Sequence, residues 1–219
     1  MIRVNIICEG PTEQKFVQKL LYPYFLTKGI AVAASRLDGG FNYGRLKHHI
    51  VQMLNSDHGA YVTTMVDLYG LKGEYPGYEA NKHRPAPEKA AAIEAAILAD
   101  VLAARNLHNH QFIPYMQLHE FEALLFSDAE LMEEWLSLDH AIPENCFGDI
   151  LAGFDTPEHI NDSPLTAPSK RILALVPSYE KIDDGVLIAE DIGLEKIRAK
   201  CPHFDAWMKK LESLAPQSQ

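Results

Sequence analysis

The chain has 219 residues, which suits one α/β domain with an extension or two small domains, and its 47% hydrophobic residues can bury a sizeable core. No run approaches the roughly 20 apolar residues of a membrane helix, and Met1-Ile2-Arg3-Val4-Asn5-Ile6-Ile7 is too short and too soon interrupted for a signal peptide. The net charge is −10, but twelve Asp and Glu and no Lys or Arg lie between Gln111 and Asp162, so the rest of the chain sums to +2 and is not barred from a polyanionic partner.

Residues 2–8 form a short Ile- and Val-rich run that reads as the first strand. Glu9-Gly10-Pro11-Thr12-Glu13 breaks it, and Phe16, Val17, Leu20, Leu21 and Tyr24 then recur at helical spacing over Glu13 to Tyr24. Residues 29–36 read as a second strand, Asp38-Gly39-Gly40 as a turn and Tyr43 to Leu54 as an amphipathic helix. Tyr61 to Val66 is a buried strand ending at Asp67. Residues 68–87, rich in Gly, Pro, Tyr and charge, read as a surface loop whose Tyr69, Tyr75, Tyr78, His83 and Arg84 either pack it down or offer stacking faces and positive charge. An Ala-rich helix is expected over Glu88 to Arg105 and a strand over Phe112 to Leu118. His119-Glu120-Phe121-Glu122 follows, then a short helix from about Glu122 to Phe126 and one from Ala129 to Leu136 capped by Asp128. Short helices separated by Pro and Gly fill residues 140–219. Trp135 and Trp207 fall within apolar periodicity and read as core. The three cysteines, Cys8, Cys146 and Cys201, have no paired spacing, which argues against a disulfide framework or a zinc site and for a reducing, cytoplasmic compartment.

Alternating strands and helices imply an α/β fold with a parallel-rich sheet flanked by helices and a mainly helical C-terminal extension. The expected division is 1–130 for the sheet domain and 131–219 for the extension. In such sheets functional groups gather beyond the carboxyl ends of the strands. Glu9, Asp38, Asp67 and the group His119, Glu120, Glu122 all fall there. One acid at a strand end is usually a cap or a solvated turn. Several converging acids repel one another unless a cation joins them, and hard oxygen ligands suit Mg²⁺ or Mn²⁺.

Ile7-Cys8-Glu9-Gly10-Pro11-Thr12-Glu13 resembles the first motif of Toprim domains. Asp38-Gly39-Gly40-Phe41-Asn42 resembles an element of nucleases of the overcoming-lysogenisation-defect type. Val66-Asp67-Leu68-Tyr69 stands where Toprim domains carry Asp-x-Asp, with Tyr69 replacing the second acid. Thr64 to Gly70, Leu118-His119-Glu120-Phe121-Glu122-Ala123-Leu124-Leu125-Phe126, Thr166-Ala167-Pro168-Ser169-Lys170-Arg171 and Cys201-Pro202-His203-Phe204 together are similar to a bacterial family of unknown function grouped with Toprim-like proteins.

The resemblance implies metal-dependent phosphodiester hydrolysis of nucleic acid, with DNA the expected substrate. Asp67 would be a direct Mg²⁺ or Mn²⁺ ligand, and Glu9 a second ligand or general base. Glu120, on strand-end geometry, or Glu122, on resemblance, would replace the acid lost at Tyr69. Gly39, Gly40, Asn42, His119, Lys170 and Arg171 are the candidate substrate contacts. Each also has an ordinary reading as turn, cap, structural histidine or solvated charge, and Glu13 as a helix-start acid. RNA processing, nucleotidyl transfer and a non-catalytic docking subunit are the alternatives. No Gly-x-x-x-x-Gly-Lys-Ser/Thr run occurs, so the ATPase that the resemblance associates with phage defence would be a separate partner. Glu130, Glu133 and Glu134 are expected to face away from nucleic acid and offer a basic partner a docking face.

Overall fold

The computed structural model describes residues 1–37, 41–71, 73–104, 111–138, 140–160, 163 and 165–216. Three parallel strands form the centre of the sheet: β1 (Ile2–Cys8), β2 (Ile30–Arg36) and β3 (Ala60–Asp67). β1 lies between the other two, with Val4 opposite Val32 on one side and Tyr61 on the other. Ile6, Ile7 and Cys8 are fully buried in succession, which marks a strand covered on both faces. Side-chain alternation sends Val4, Ile6 and Cys8 into one core and Ile7 into a second. β3 divides likewise, with Met65 in the first core and Val62 and Val66 in the second.

The helical run after β1 opens at Pro11, with Glu13 in its first turn. It comprises α1 (Pro11–Phe16), a widened π turn (Val17–Leu21) and α2 (Tyr22–Leu26). Pro23 has no N–H to return to Lys19, and the widened turn sits just before it. The second core is closed by α3 (Tyr43–Ser56), through Leu46, Ile50 and Leu54, and later by Ile93, Ile97 and Val101. The stretch 68–87 is not wholly loop: it carries α4 (Tyr78–Asn81), and Tyr75 is buried with its ring 5.4 Å from that of Tyr43. Tyr75 therefore packs the loop down and offers no stacking face. α5 (Ala86–Ala103) follows and bears those second-core residues.

The strand expected over Phe112 to Leu118 is broken into β4 (Phe112–Ile113) and β5 (Met116–Gln117), both parallel to β3. Pro114 has no N–H for the ladder. The Thr64 hydroxyl bridges the gap, donating to the Tyr115 carbonyl at 2.8 Å and accepting from the Tyr115 N–H at 2.9 Å.

Beyond the sheet lie a 3₁₀ helix (Phe121–Asp128), α6 (Ala129–Ser137), α7 (Cys146–Leu151), a 3₁₀ turn (Pro157–His159), α8 (Pro168–Leu175), α9 (Asp184–Ile192), α10 (Leu194–Lys200) and α11 (Pro202–Glu212). Asp128 caps α6, as its position predicts, by accepting from the Leu131 N–H. Trp207 of α11 is buried, stacks on Tyr115 at 4.3 Å and donates to the Thr63 hydroxyl at 2.9 Å, fixing the last helix to the sheet. Trp135 is only partly buried and donates to Asp191. Glu130 and Glu134 face solvent, whereas Glu133 accepts from the Asn145 N–H at 2.6 Å. Among the described residues no helix is long and apolar enough to cross a membrane.

Candidate functional site at the carboxyl edge of the sheet

The chain passes from β1 to β2 on one side and returns to β3 on the other, so the crevice beyond the carboxyl ends of β1 and β3 lies where the strand order reverses. Glu9 follows β1 there and Asp67 ends β3. They touch directly: Glu9 Oε2 accepts from the Asp67 N–H at 3.0 Å. Glu13 sits behind them in the first turn of α1, with Oε2 accepting from the Gly10 N–H at 2.8 Å, as a helix-start acid should.

Glu120 and Glu122 are both buried, although the sequence offered them as alternatives. Glu120 precedes the 3₁₀ helix in an extended conformation, so the two are not on one helix. His119, with φ at +61°, turns the chain just before them, and its carbonyl accepts from the Tyr69 N–H. The two acids then separate in role. Glu120 Oε2 accepts from the Ser169 N–H at 3.0 Å in the first turn of α8. Glu122, with no exposed surface, faces Asp67 across a lysine.

That lysine, Lys181, was not among the sequence candidates. Its ammonium lies 3.0 Å from Glu122 Oε2 and 3.8 Å from Asp67 Oδ2. The contact to Glu122 is an ion pair outside hydrogen-bond geometry, and both Glu122 oxygens and Asp67 Oδ1 are buried without a hydrogen bond. A second ion pair, Lys15 to Asp183 at 2.5 Å, anchors the segment carrying Lys181 to α1. Tyr179 in the same segment is buried with its hydroxyl unpartnered. Gly185 makes room for it, since a Cβ there would lie 2.5 Å from the hydroxyl oxygen. No motif announced Lys181 or Tyr179. A single lysine among acids in a Pro- and Gly-punctuated region reads as solvated charge.

Burial dominates the electrostatics. It raises Glu9 to a pKa of about 7, with the Asp67 N–H opposing and Glu13 adding to the rise. Asp67 is held well above the usual carboxylate range by burial, against the pull of Lys181, and Glu122 is raised for the same reason. Burial alone would lower Lys181, but Asp67, Glu122 and Glu13 reverse that and raise it. Burial, with Glu122 next, likewise raises Tyr179.

The remaining candidates lie apart from this cluster of acids. Asn42 caps α3, accepting from the Arg45 N–H at 3.0 Å. The Arg171 guanidinium donates to the Thr166 carbonyl and lies over the Phe154 ring at 5.5 Å. Lys170 is exposed. Gly39 and Gly40 lie outside the described residues. Among the described residues no three Asp, Glu, His or Cys side chains are spaced to hold a metal ion. Asp67 Oδ1 and Glu122 Oε1 are hard oxygen atoms buried without a hydrogen-bond partner, of the kind a divalent cation accepts, but the Lys181 ammonium already supplies a positive charge between the two side chains.

Residues 8–212 match the family described as "Domain of unknown function (DUF4276)". The chain belongs to that family. No curated protein matches the sequence. Among solved structures, this DUF4276 member is similar to the C-terminal region of the Burkholderia pseudomallei OLD protein. The TM-score is 0.54 and the identity 13%, over 99% of this chain and 100% of that one. At that identity the likeness concerns the fold: a parallel strand core flanked by helices with a largely helical C-terminal region, a Toprim-like architecture at the general level.

Proposed function

We propose that the chain is a Mg²⁺- or Mn²⁺-dependent phosphodiesterase acting on nucleic acid, DNA foremost, with Glu9, Asp67 and Glu122 as its working carboxylates. The observation carrying this reading is the meeting of Glu9, Asp67 and Glu122 beyond the strand ends, with Asp67 Oδ1 and Glu122 Oε1 buried and without a hydrogen-bond partner. The fold shared with the OLD region supports it. Asp67 and Glu122 would hold the cation. A bound divalent ion would supply charge neutralisation at phosphate oxygens and a water of lowered pKa. Glu9, with Oε2 fixed by the Asp67 N–H and a pKa near 7, is suited to take the proton of the attacking water on Oε1. Lys181 would orient Glu122 and add positive charge beside the scissile phosphate. Glu120 would position the first turn of α8 through the Ser169 N–H. A separate ATPase partner and a role in phage defence belong to this proposal, as does docking through the exposed Glu130 and Glu134.

One observation favours a second reading. Lys181 already gives Asp67 and Glu122 a counter-ion, as in a site that has exchanged metal for an ammonium and serves as a regulatory subunit. The test is incubation with plasmid DNA, single-stranded DNA and RNA, with and without Mn²⁺. Metal-dependent cutting lost in Asp67→Asn is the expected result. No cutting of any substrate at millimolar Mn²⁺ would leave the regulatory reading standing.

A further inference from the structure

A second cleft, of about 350 Å³, lies beside the chain that leaves β5, on the other side of β3 from Glu9. Its described lining is Pro85, Ala86, Pro87, Glu88, His119 and His159. Strand register sets its distance from the acids. Asp67 pairs with Gln117, and past the sheet the Leu68 and Tyr69 N–H groups still donate to the Gln117 and His119 carbonyls, at 2.8 and 3.0 Å. His119, only 4% exposed, therefore stands one strand-width, about 4.8 Å, from the segment that follows Asp67. Part of the lining is the start of α5, where Pro85 and Pro87 fix the backbone and set two pyrrolidine rings around Ala86. Another part is His159, at the end of a 3₁₀ turn that is held in place: the buried Glu158 accepts from the His203 and Phe204 N–H groups at 2.8 and 2.9 Å. The His159 side chain keeps 40% of its exposure, with Nδ1 4.0 Å from Asp155. His83 and Arg84, just before Pro85, are exposed.

This lining suits a flat, neutral ring better than an anion. Pro87 has no N–H to offer at the opening of α5, and Glu88 in the first turn already answers the positive end of the helix. Imidazole is among the rings on which unstacked bases lie, and the Glu88 carboxylate can accept from an exocyclic amine. The volume is at the small end for ligand cavities and suits one base, not a base pair. We propose that this cleft takes one unpaired nucleobase, packed on His159, from a nucleotide next to the phosphate presented to Glu9, Asp67 and Glu122. His83 and Arg84 then stand beside it to meet the backbone. This rests on the phosphodiesterase reading and narrows its substrate to nucleic acid with an unpaired base near the scissile bond.

The test is fluorescence anisotropy in a chelator, so that nothing is cut, with a labelled single strand of about ten nucleotides and a duplex of the same length. His159→Ala, with native circular dichroism, should bind the single strand about tenfold more weakly, the size of one lost base stack, and the duplex as the wild type does. His159→Phe, which keeps a ring without the charge, should bind the single strand like the wild type. The salt dependence of single-strand binding should be the same in all three proteins, because no phosphate contact is removed. Unchanged single-strand binding in His159→Ala, equal weakening on strand and duplex, a Phe variant as weak as the Ala variant, or no wild-type binding of the single strand at low salt overturns the proposal. Cutting of the single strand by the wild type in Mn²⁺ is scored separately. Cutting with unchanged binding in His159→Ala removes the base site alone. Weakened binding in His159→Ala without cutting by the wild type keeps the base site and removes the phosphodiesterase reading.

Discussion

Replacing Lys181 by Met keeps most of the side-chain bulk and removes the charge between Asp67 and Glu122. At 3.0 and 3.8 Å, and with an effective dielectric of about 20, the two attractions are roughly 5 and 4 kcal/mol before desolvation. Desolvation offsets most of that, and removing one partner of a fully buried pair costs about 3–5 kcal/mol net. The Lys181 side chain retains 36% of its exposure, so solvent screening reduces the expected loss to about 2 kcal/mol. With a urea dependence of about 2–3 kcal/mol/M, the unfolding midpoint should drop by about 0.7–1 M. Lys181→Arg should recover most of the drop. The two acids, now without a counter-ion, should bind Mn²⁺ more tightly, and saturation at about 100 times Kd adds about 2.7 kcal/mol. Mn²⁺ should therefore raise the midpoint more in Lys181→Met than in the wild type. A midpoint that stays level or rises on substitution, together with no greater response to Mn²⁺, would refute the view that the ammonium holds the place of a cation.

Trp207→Ala should destabilise the chain by about 3–5 kcal/mol in urea unfolding, because it removes a buried ring stacked on Tyr115 and leaves the Thr63 hydroxyl without its donor. A loss below about 1 kcal/mol would mean that α11 is not docked on β3. His203 concerns pH. Burial lowers its pKa, but the hydrogen bond and charge of Glu94, 3.0 Å away, more than reverse this, so the folded value lies above 6.5. The stabilisation is thus fully present below about 6.5 and fades as pH rises through the folded value. The melting-temperature difference between wild type and His203→Gln should shrink from pH 6 to about pH 9, and a constant difference would sink the ion-pair account.

The central sheet was legible because its strands are short runs rich in Ile and Val, two of them closed by Glu9 and Asp67, and the last residues of β1 and β3 are buried on both faces. The strand-end rule then located Glu9, Asp67, Glu120 and Glu122 without any tertiary information. It could not divide the last two, since their roles depend on where the chain leaves the extended conformation after His119. Lys181 was illegible for a different reason. It meets Asp67 only because α9 and α1 pack together and Asp183 pairs with Lys15, and no spacing along the chain records that. The broken fourth strand was hidden in an apolar run. Pro114 alone signalled it, and the repair came from Thr64 on another strand.

That repair leaves the sheet ending, among the described residues, in two rungs of two residues each. A border so short offers a foreign strand few free amides in a row, so templated growth and fibril seeding are poorly supported there. The opposite border is another matter. β2 presents seven residues in continuous extension, bonded along one side to β1. Any strand-to-strand joining of two copies of this chain would therefore begin at Ile30–Arg36.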